Sequence, residues 1–422
     1  MTVAAGRLGP AALPRATAAD GLAVAGSVLL VLVYSQAWVA PLMGEGPAAT
    51  ETSALIRGLF YPAYAAALAL AALNVRAVVE AFVRAPLLLL LLLLAVASTV
   101  WSIDPDVTVR RVVALGLTTL SGVVIATRFS WRGLAEVMGL GFAVLVVLSF
   151  GAGLLAPSVG VMSELFPGAW RGLWSEKNML GAHMALASAV FMAAAVLRPE
   201  RRAVWLGFFA AAVLLVLLST SKTALLAMLL GFAVLGFVAL VRRSAATGVA
   251  TTWAAGVGVA VLALGALFAA EAVFDLLGKD ATLTGRTQIW EAAVRQVSQQ
   301  PWTGFGYGAV WDNASRWGPL AAIAHEIEHL PQHAHNGWLE VWLGLGLVGV
   351  VIWAAYLLEV WARALGATYG ERNPGAAYLA LPTLAIFTLM TLTESVVGNY
   401  NDLRWVFFVA VAVKLASPGW RA

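Results

Sequence analysis

Leu87 to Leu94 is an unbroken run of leucine, with Ala85-Pro86 before it and Ala95-Val96-Ala97 after it. It shows neither the alternation of a half-buried strand nor the polar stripe of a surface helix. The same texture recurs along the chain: 61% of the 422 residues are hydrophobic, 11% are charged, and the mean hydropathy is +0.86. A soluble domain carries about 25% charged residues because its surface must be wetted. A bilayer removes that need, and the seventeen tryptophans suit its interfacial belts. The leucine run is therefore membrane-span material, and the chain reads as an all-α polytopic integral membrane protein.

About twelve apolar stretches are long enough for a span of about 20 residues across roughly 30 Å of hydrocarbon. They centre near Val31, Ala67, Leu91, Leu117, Leu145, Ala187, Ala211, Leu229, Val261, Val348, Ala385 and Val409. The second has the least distinct end, because Arg76 and Glu80 blur it. The first is too long for a signal-peptide core and lacks a cleavage site, so it is expected to remain as a span. With the N-terminus in the cytoplasm, the inner loops collect Arg128, Arg132, Arg198, Arg201, Arg202, Arg242, Arg243 and Arg363, while most carboxylates fall outside. That asymmetry follows the positive-inside rule. The expected organisation is a cytoplasmic tail over 1–20, helices one to nine over 21–269, a large, partly helical periplasmic loop over 270–337 between helices nine and ten, and the last three helices with a short tail over 338–422. Both termini are then cytoplasmic. The net charge of +4 is distributed by topology rather than gathered into a nucleic-acid patch, and the absence of cysteine excludes disulfides and thiolate metal sites.

Arg110, Arg111, Arg171, Lys177, Lys222, Arg286, Arg295, Arg316 and Arg404 fall on the outer side, where the topology rule does not ask for them. Singly, each can snorkel to headgroups or pair with a nearby carboxylate. Together they suggest a basic, outward-facing pocket suited to phosphate, which arginine binds bidentately and lysine as a point charge.

The outer loop holds four of the five histidines: His325, His329, His333 and His335. Gln288 to Val297 has helical patterning, with Ile289, Ala292, Ala293 and Val297 on one apolar side and Thr284 or Thr287 as a cap. Pro301 ends that pattern, and Gly304, Gly306 and Gly308 form a turn. H-E-I-E-H (His325 to His329) matches a zinc-hydrolase signature, but Pro331 leaves little room for the supporting helix, and no metal site is expected. His335-Asn336, followed by Gly346-x-x-Gly349, puts a histidine at the start of the tenth span with glycines about three turns deeper. A neutral imidazole there can take a proton from a sugar hydroxyl, and the glycines can admit a close neighbour; the plainer reading is a helix-start histidine with packing glycines. R-G-L-W-S-E-K-N-M-L-G (Arg171 to Gly181) carries Asn178 and a cation pair, Arg171 and Lys177, that can hold an anion or bridge to Glu164 and Glu176. S-T-S-K-T (Ser219 to Thr223) places Lys222 in a tight outer turn, and G-R-T-Q-I-W (Gly285 to Trp290) places Arg286 at a helix start, which itself favours an anion. Asp104-Pro105-Asp106, beside Arg110 and Arg111, reads as a salt-bridged turn rather than a metal site.

In this order and on this topology, the motifs resemble the O-antigen ligase/polymerase superfamily of Wzy-type and exopolysaccharide-polymerase membrane proteins. W-S-I-D-P-D-V-T-V-R-R (Trp101 to Arg111) and S-E-K-N-x-L-G resemble its exopolysaccharide polymerases, and the likeness covers about Trp101 to Gly349. The resemblance implies inverting, metal-independent glycosyl transfer at the periplasmic face of the bacterial inner membrane, without a cofactor. The donor would be an undecaprenyl-pyrophosphate-linked glycan and the acceptor a glycan or a lipid. His335 would be the base and Arg286 a pyrophosphate clamp, while Lys222 stands where the family usually has arginine. Lys222, Arg171, Lys177, Asn178, Arg110, Arg111 and Asn336 are the expected substrate contacts. Expected companions are the bilayer, a chain-length regulator and the flippase of the pathway, with no nucleic acid. The resemblance leaves open a ligase acting on lipid A–core, and the outer cations alone would also serve a lipid-linked-sugar flippase.

Overall fold

The structure is a computed structural model describing residues 18–43, 54–268, 286–312, 315, 317–370 and 374–417. Most of the expected N-terminal tail, Thr284, Gly285 and Arg316 lie outside the described residues. Within them the chain is helical, apart from one antiparallel bridge between Val161 and Trp170. Every one of the twelve apolar centres falls on a helix. Among the described residues, seven helices are long and apolar enough to cross a membrane, and an eighth candidate is a bent pair.

The longer helices are α1 (Ala18–Tyr34), α2 (Tyr61–Ala72), α3 (Val75–Arg84), α4 (Pro86–Ala97), α5 (Pro105–Arg128), α6 (Trp131–Leu155), α7 (Lys177–Leu197), α8 (Arg202–Leu218), α9 (Lys222–Val241) and α10 (Ala245–Phe268). After residue 285 come α11 (Arg286–Val297), α12 (Pro319–Ile327), α13 (Gly337–Tyr369), α14 (Leu381–Thr393) and α15 (Leu403–Ala416). Their starts are written in side chains. Asp104, Ser130, Ser221, Asn336 and Asp402 each accept a backbone N–H from the first turn of the following helix. Asp104-Pro105-Asp106 is thus an N-cap with proline in the first turn, not a salt-bridged turn. The blurred end near Arg76 is an elbow: Asn74 caps α3, and the two helical arms meet at 96°.

Helix α15 stands at the centre of the bundle. Every residue from Leu403 to Leu415 is buried, although the helix has only 14 residues. It packs against α5 so closely that a Cβ at Gly122 would lie 2.6 Å from the Val406 carbonyl oxygen. In lipid, where apolar burial between helices gains little, such contact and ring packing carry association. Trp353 of α13, Phe387 of α14 and Trp405 and Phe408 of α15 supply the rings, with Phe387 and Phe408 stacked at 4.5 Å.

The loop has its own small core. Ile289, Ala292, Ala293 and Val297, the side read as apolar, pack with Phe305, Val310, Ile323, Ile327 and Leu343. The turn ending α11 is left-handed at Gly304, Gly306 and Gly308, with φ of 65°, 99° and 68°. It lies along a break in α13, where Gly346 has φ 67° and ψ −171°. Phe305 and Gly306 donate backbone N–H to the carbonyls of Leu343 and Gly344 at 2.7 and 3.1 Å, and Leu347 donates to Pro301 at 2.8 Å. The Gly346 position therefore admits this loop backbone, not a lipid chain. A Cβ there would stand 2.1 Å from the Trp302 oxygen.

Gly346→Ala is expected to destabilise the protein by about 2–4 kcal/mol, from left-handed strain and overpacking combined. Gly366→Ala in the same helix meets no atom within 4 Å and should be neutral. Thermal unfolding of the purified variants in detergent checks the pair; equal midpoints would show that the loop backbone does not dock tightly at Gly346.

Candidate functional site

The two ends of the bundle differ in chemistry. One end holds the ion pairs Arg128–Asp20, Arg198–Glu136, Arg201–Glu136 and Arg363–Glu359. The other gathers the starts of α5, α7, α9, α13 and α15, the loop helix α11, and nearly all the candidate residues.

Arg286 opens α11 and reaches across to the chain just past α14. Its Nη1 donates to the Thr393 carbonyl at 2.5 Å and its Nη2 to Glu394 Oε1 at 3.1 Å. The second Glu394 oxygen stands 3.5 Å from His335 Nδ1, within ion-pair reach but not aligned as a hydrogen bond. One carboxylate thus lies between the two residues that the sequence pointed to. The Arg286 and Glu394 side chains are 14% and 13% exposed and that of His335 is 27% exposed. Burial alone would raise the Glu394 carboxyl, but the His335 imidazole, Arg286 and Arg404 outweigh it and hold the group down to about 2.

His335 is left-handed, with φ 50°, a conformation that costs a non-glycine residue about 1–3 kcal/mol. Its neighbours impose it. Ala334 donates its N–H to Glu340 Oε1 at 2.7 Å and accepts from Trp290 Nε1 at 2.8 Å. Asn336 is committed to capping α13, accepting from the N–H groups of Trp338 and Leu339. Glu340 also accepts from Trp311 Nε1 at 2.6 Å and Ser395 Oγ at 2.8 Å, tying the histidine segment to the chain beyond Glu394. His333 belongs to this cluster rather than to passive loop structure. Its ring lies 3.9 Å from that of His335, and its Nδ1 accepts the His335 N–H. Burial, with His335 beside it, pushes the His333 imidazole down to about 3, so it is neutral near pH 7.

Arg404, at the start of α15, completes the group. Asp402 accepts from its Nε and from its Nη2, the latter at 2.6 Å. Burial opposes the charge on Asp402, yet Arg404 keeps its carboxyl below the usual range. Arg404 is 5% exposed, its Nη1 lacks a hydrogen-bond partner among the described residues, and its charge is felt at Glu394 and His333.

A second cationic group lies at the same end. Lys177 and Lys222 are the first residues of α7 and α9. A Cβ on Gly181 would stand 2.6 Å from Ala224 Cβ, so glycine lets these helix starts converge. Lys177 donates to Thr220 Oγ1 at 3.2 Å and lies 3.7 Å over the Phe166 ring, not on Glu164 or Glu176. Asn178 accepts the Ser221 hydroxyl at 2.8 Å, and Lys222 is exposed. Two lysines and two helix N-termini form a positive field.

The remaining candidates have other placements. Arg171 donates to the carbonyls of Ser158 and Val159 at 2.9 and 2.8 Å. Arg111 donates to the Gly308 carbonyl and lies 5.3 Å from the Tyr400 ring centre, holding the glycine turn; Arg110 is exposed beside it. His325 and His329 do not share a helical face, because α12 ends at Ile327 and Glu328 is left-handed with φ 60°. Glu394 and Glu340 belong to no motif in the sequence, and Arg404 is one outer cation among several there. The signal for Glu394 was a carboxylate in a short loop on the same side as unexplained cations, which at a membrane edge want an anionic partner.

Residues 207–354 match the Wzy_C family model, described as O-antigen ligase. The chain is 29% identical over 300 residues to the exopolysaccharide production protein ExoQ of Rhizobium meliloti strain 1021, a match covering 66% of this chain and 65% of the relative. It is 32% identical over 109 residues to an O-antigen ligase of Pseudomonas aeruginosa strain PAO1, covering 26% of this chain and 24% of the relative. The matched stretches thus span less than two thirds of either relative.

The depressed His333 makes stability depend on pH. The unfolded imidazole binds its proton near pH 6.5 and the folded one only near 3, so its contribution is complete above about pH 6.5 and is lost as pH falls toward 3. Between pH 6.5 and 4.5 the wild type should lose at most about 1.4 kcal/mol per pH unit on this account. The His333→Gln variant should have a visibly flatter thermal midpoint over that window. Parallel curves would show that His333 is not held neutral.

Proposed function

We propose that this chain is a member of the O-antigen ligase/polymerase superfamily, an inner-membrane glycosyltransferase that polymerises undecaprenyl-pyrophosphate-linked oligosaccharide units. The observation that carries the reading is the convergence of Arg286 and His335 on Glu394 at one bundle end. It puts a cation and an imidazole within one reaction centre, as transfer from a diphosphate carrier requires.

His335 takes the proton of an acceptor sugar hydroxyl as that oxygen attacks the anomeric carbon of the donor. The bond from that carbon to the diphosphate oxygen breaks, and the undecaprenyl diphosphate leaves with the electron pair, so the anomeric configuration inverts. Arg286 stabilises the departing charge. The guanidinium has five N–H donors, and the contacts to Thr393 and Glu394 use its two terminal nitrogens. Lys177, Lys222 and the N-termini of α7 and α9 attract the carrier diphosphate electrostatically. Arg171 and Arg111 serve by holding the backbone around the site, while Asn178 and Asn336 fix helix starts. In this reading the chain crosses the membrane about twelve times, with the 270–337 loop and site periplasmic and both termini cytoplasmic. Its companions are a chain-length regulator and the pathway's flippase.

The match to ExoQ, which covers more of this chain than the ligase match does, favours exopolysaccharide production. The ligase description of the matched domain supports a second reading, transfer of the finished glycan to lipid A–core. Acceptor identity separates the two: a knockout that leaves single-repeat glycans fits the polymerase, whereas long glycans accumulating on the carrier fit the ligase.

Reconstituted protein given purified undecaprenyl-pyrophosphate oligosaccharide should release carrier diphosphate and lengthen the glycan. His335→Ala should lower turnover by at least about 100-fold, the usual worth of a general base, while His325→Ala and His329→Ala should stay near wild type. Turnover that survives His335→Ala, or that a chelator abolishes together with loss in the His325 and His329 variants, would overturn this assignment in favour of a metal site.

A further inference from the structure

Glu394 holds two partners through two different oxygens, and only one contact is fully made. Oε1 accepts from Arg286 Nη2 at 3.1 Å. Oε2 stands 3.5 Å from His335 Nδ1, which is enclosed and has no hydrogen-bond partner among the described residues. A buried ring nitrogen left in that state is costly by about 1–3 kcal/mol. A displacement well under 1 Å would bring it to the 2.7–3.2 Å of a normal hydrogen bond. The carboxylate is hydrogen-bonded instead to Arg286, the residue proposed to take the diphosphate.

We infer that Glu394 is the positioning residue of the base, and that it passes from Arg286 to His335 Nδ1 when a diphosphate engages Arg286. A diphosphate competes for the guanidinium with charge-assisted, bidentate bonds. The released carboxylate then accepts the Nδ1 proton, which leaves Nε2 as the only ring nitrogen with a lone pair. The acceptor hydroxyl proton moves to Nε2, and Glu394 remains ionised and stabilises the imidazolium. Donor binding thereby arms the base, and the enclosed Nδ1 gains its partner at the same moment. The inference rests on the reading of His335 as the base.

The surroundings keep Glu394 charged through the exchange. Arg286 faces it from α11, His333 and His335 from the segment before α13, and Arg404, with Asp402 behind it, from α15. Glu340, on α13, accepts from Ala334 and Ser395 and holds the peptide before His335 and the residue after Glu394. Arg404 compensates Glu394 electrically when Arg286 turns to the diphosphate.

Glu394→Gln provides the test. The amide preserves volume and an oxygen for Arg286, but presents an N–H to Nδ1, which favours the wrong tautomer. We expect kcat to fall by about 100-fold or more, the donor KM to change by less than about threefold, and Glu394→Asp to recover part of the loss. Histidine-selective 15N NMR, assigned with His335→Ala, reads the same coupling without turnover. Inorganic pyrophosphate added to the wild type should shift the His335 ring toward the Nδ1–H form, and Glu394→Gln should not respond. A His335 signal unmoved by pyrophosphate in the wild type overturns the inference whether or not any variant folds. So does a Glu394→Gln enzyme with raised KM and unchanged kcat, the signature of a carboxylate that only neutralises Arg286. A wild type inactive on lipid-linked oligosaccharide would sink the functional reading instead, and the pyrophosphate titration would still decide the coupling.

Discussion

The site depends on a backbone-to-backbone contact between the 301–308 turn and the break in α13. A helix interrupted at Gly346 leaves carbonyls and N–H groups without intrahelical partners, and at membrane depth such groups must be satisfied by protein. The loop satisfies them: Leu343, Gly344 and Leu347 all bond to it. Only glycine permits this approach, because Gly304 and Gly346 are both left-handed and face backbone at distances that exclude a Cβ. The contact fixes the loop, and with it α11 and Arg286, against the helix whose start carries Asn336 and His335. The two candidate groups come from separate stretches of chain, and this dock keeps them in register.

Charge inside the site is arranged for discrimination rather than for stability. A buried ion pair commonly gains little over a well-packed apolar pair of the same volume. Here, however, Arg404 has Asp402 bound through two nitrogens, whereas Arg286 shares Glu394 with an imidazole. The first cation has a carboxylate to itself, and under the inferred exchange the second gives its own up to the imidazole. A single anionic ligand can therefore change one contact without disturbing the other.

Much of the fold was legible because membrane spans and helix faces are local patterns. The twelve apolar centres, the Ile289–Ala292–Ala293–Val297 face and the glycine turn all rest on periodicity or composition over a short window. Arg286 and His335, which the structure brings onto one carboxylate, were each set off by a local motif. Glu394 was not, since its partners lie far away in sequence and no spacing rule links them. H-E-I-E-H is the opposite case: its spacing suits one helical face, but the helix stops at Ile327. Asp104-Pro105-Asp106 was read for its charges when its backbone position, before a proline at a helix start, decided its role. The elbow at Asn74 shows the same thing, since a capping side chain rather than hydropathy marks where the helix turns.

The position of α15 has a consequence for assembly. This helix packs against α5, α13, α3, α14 and α1, yet every one of those elements precedes it in the chain. Membrane helices are delivered in order of synthesis, and early elements ordinarily pair before later ones arrive. The face of α5 at Gly122, which takes Val406 and Val409, therefore has no partner until the last helix is made. Arg404 and Asp402, at the start of that helix, lie two residues apart and pair with each other. The candidate site takes Arg404 and Asp402 from this last stretch of chain, so it is complete only when the whole bundle is.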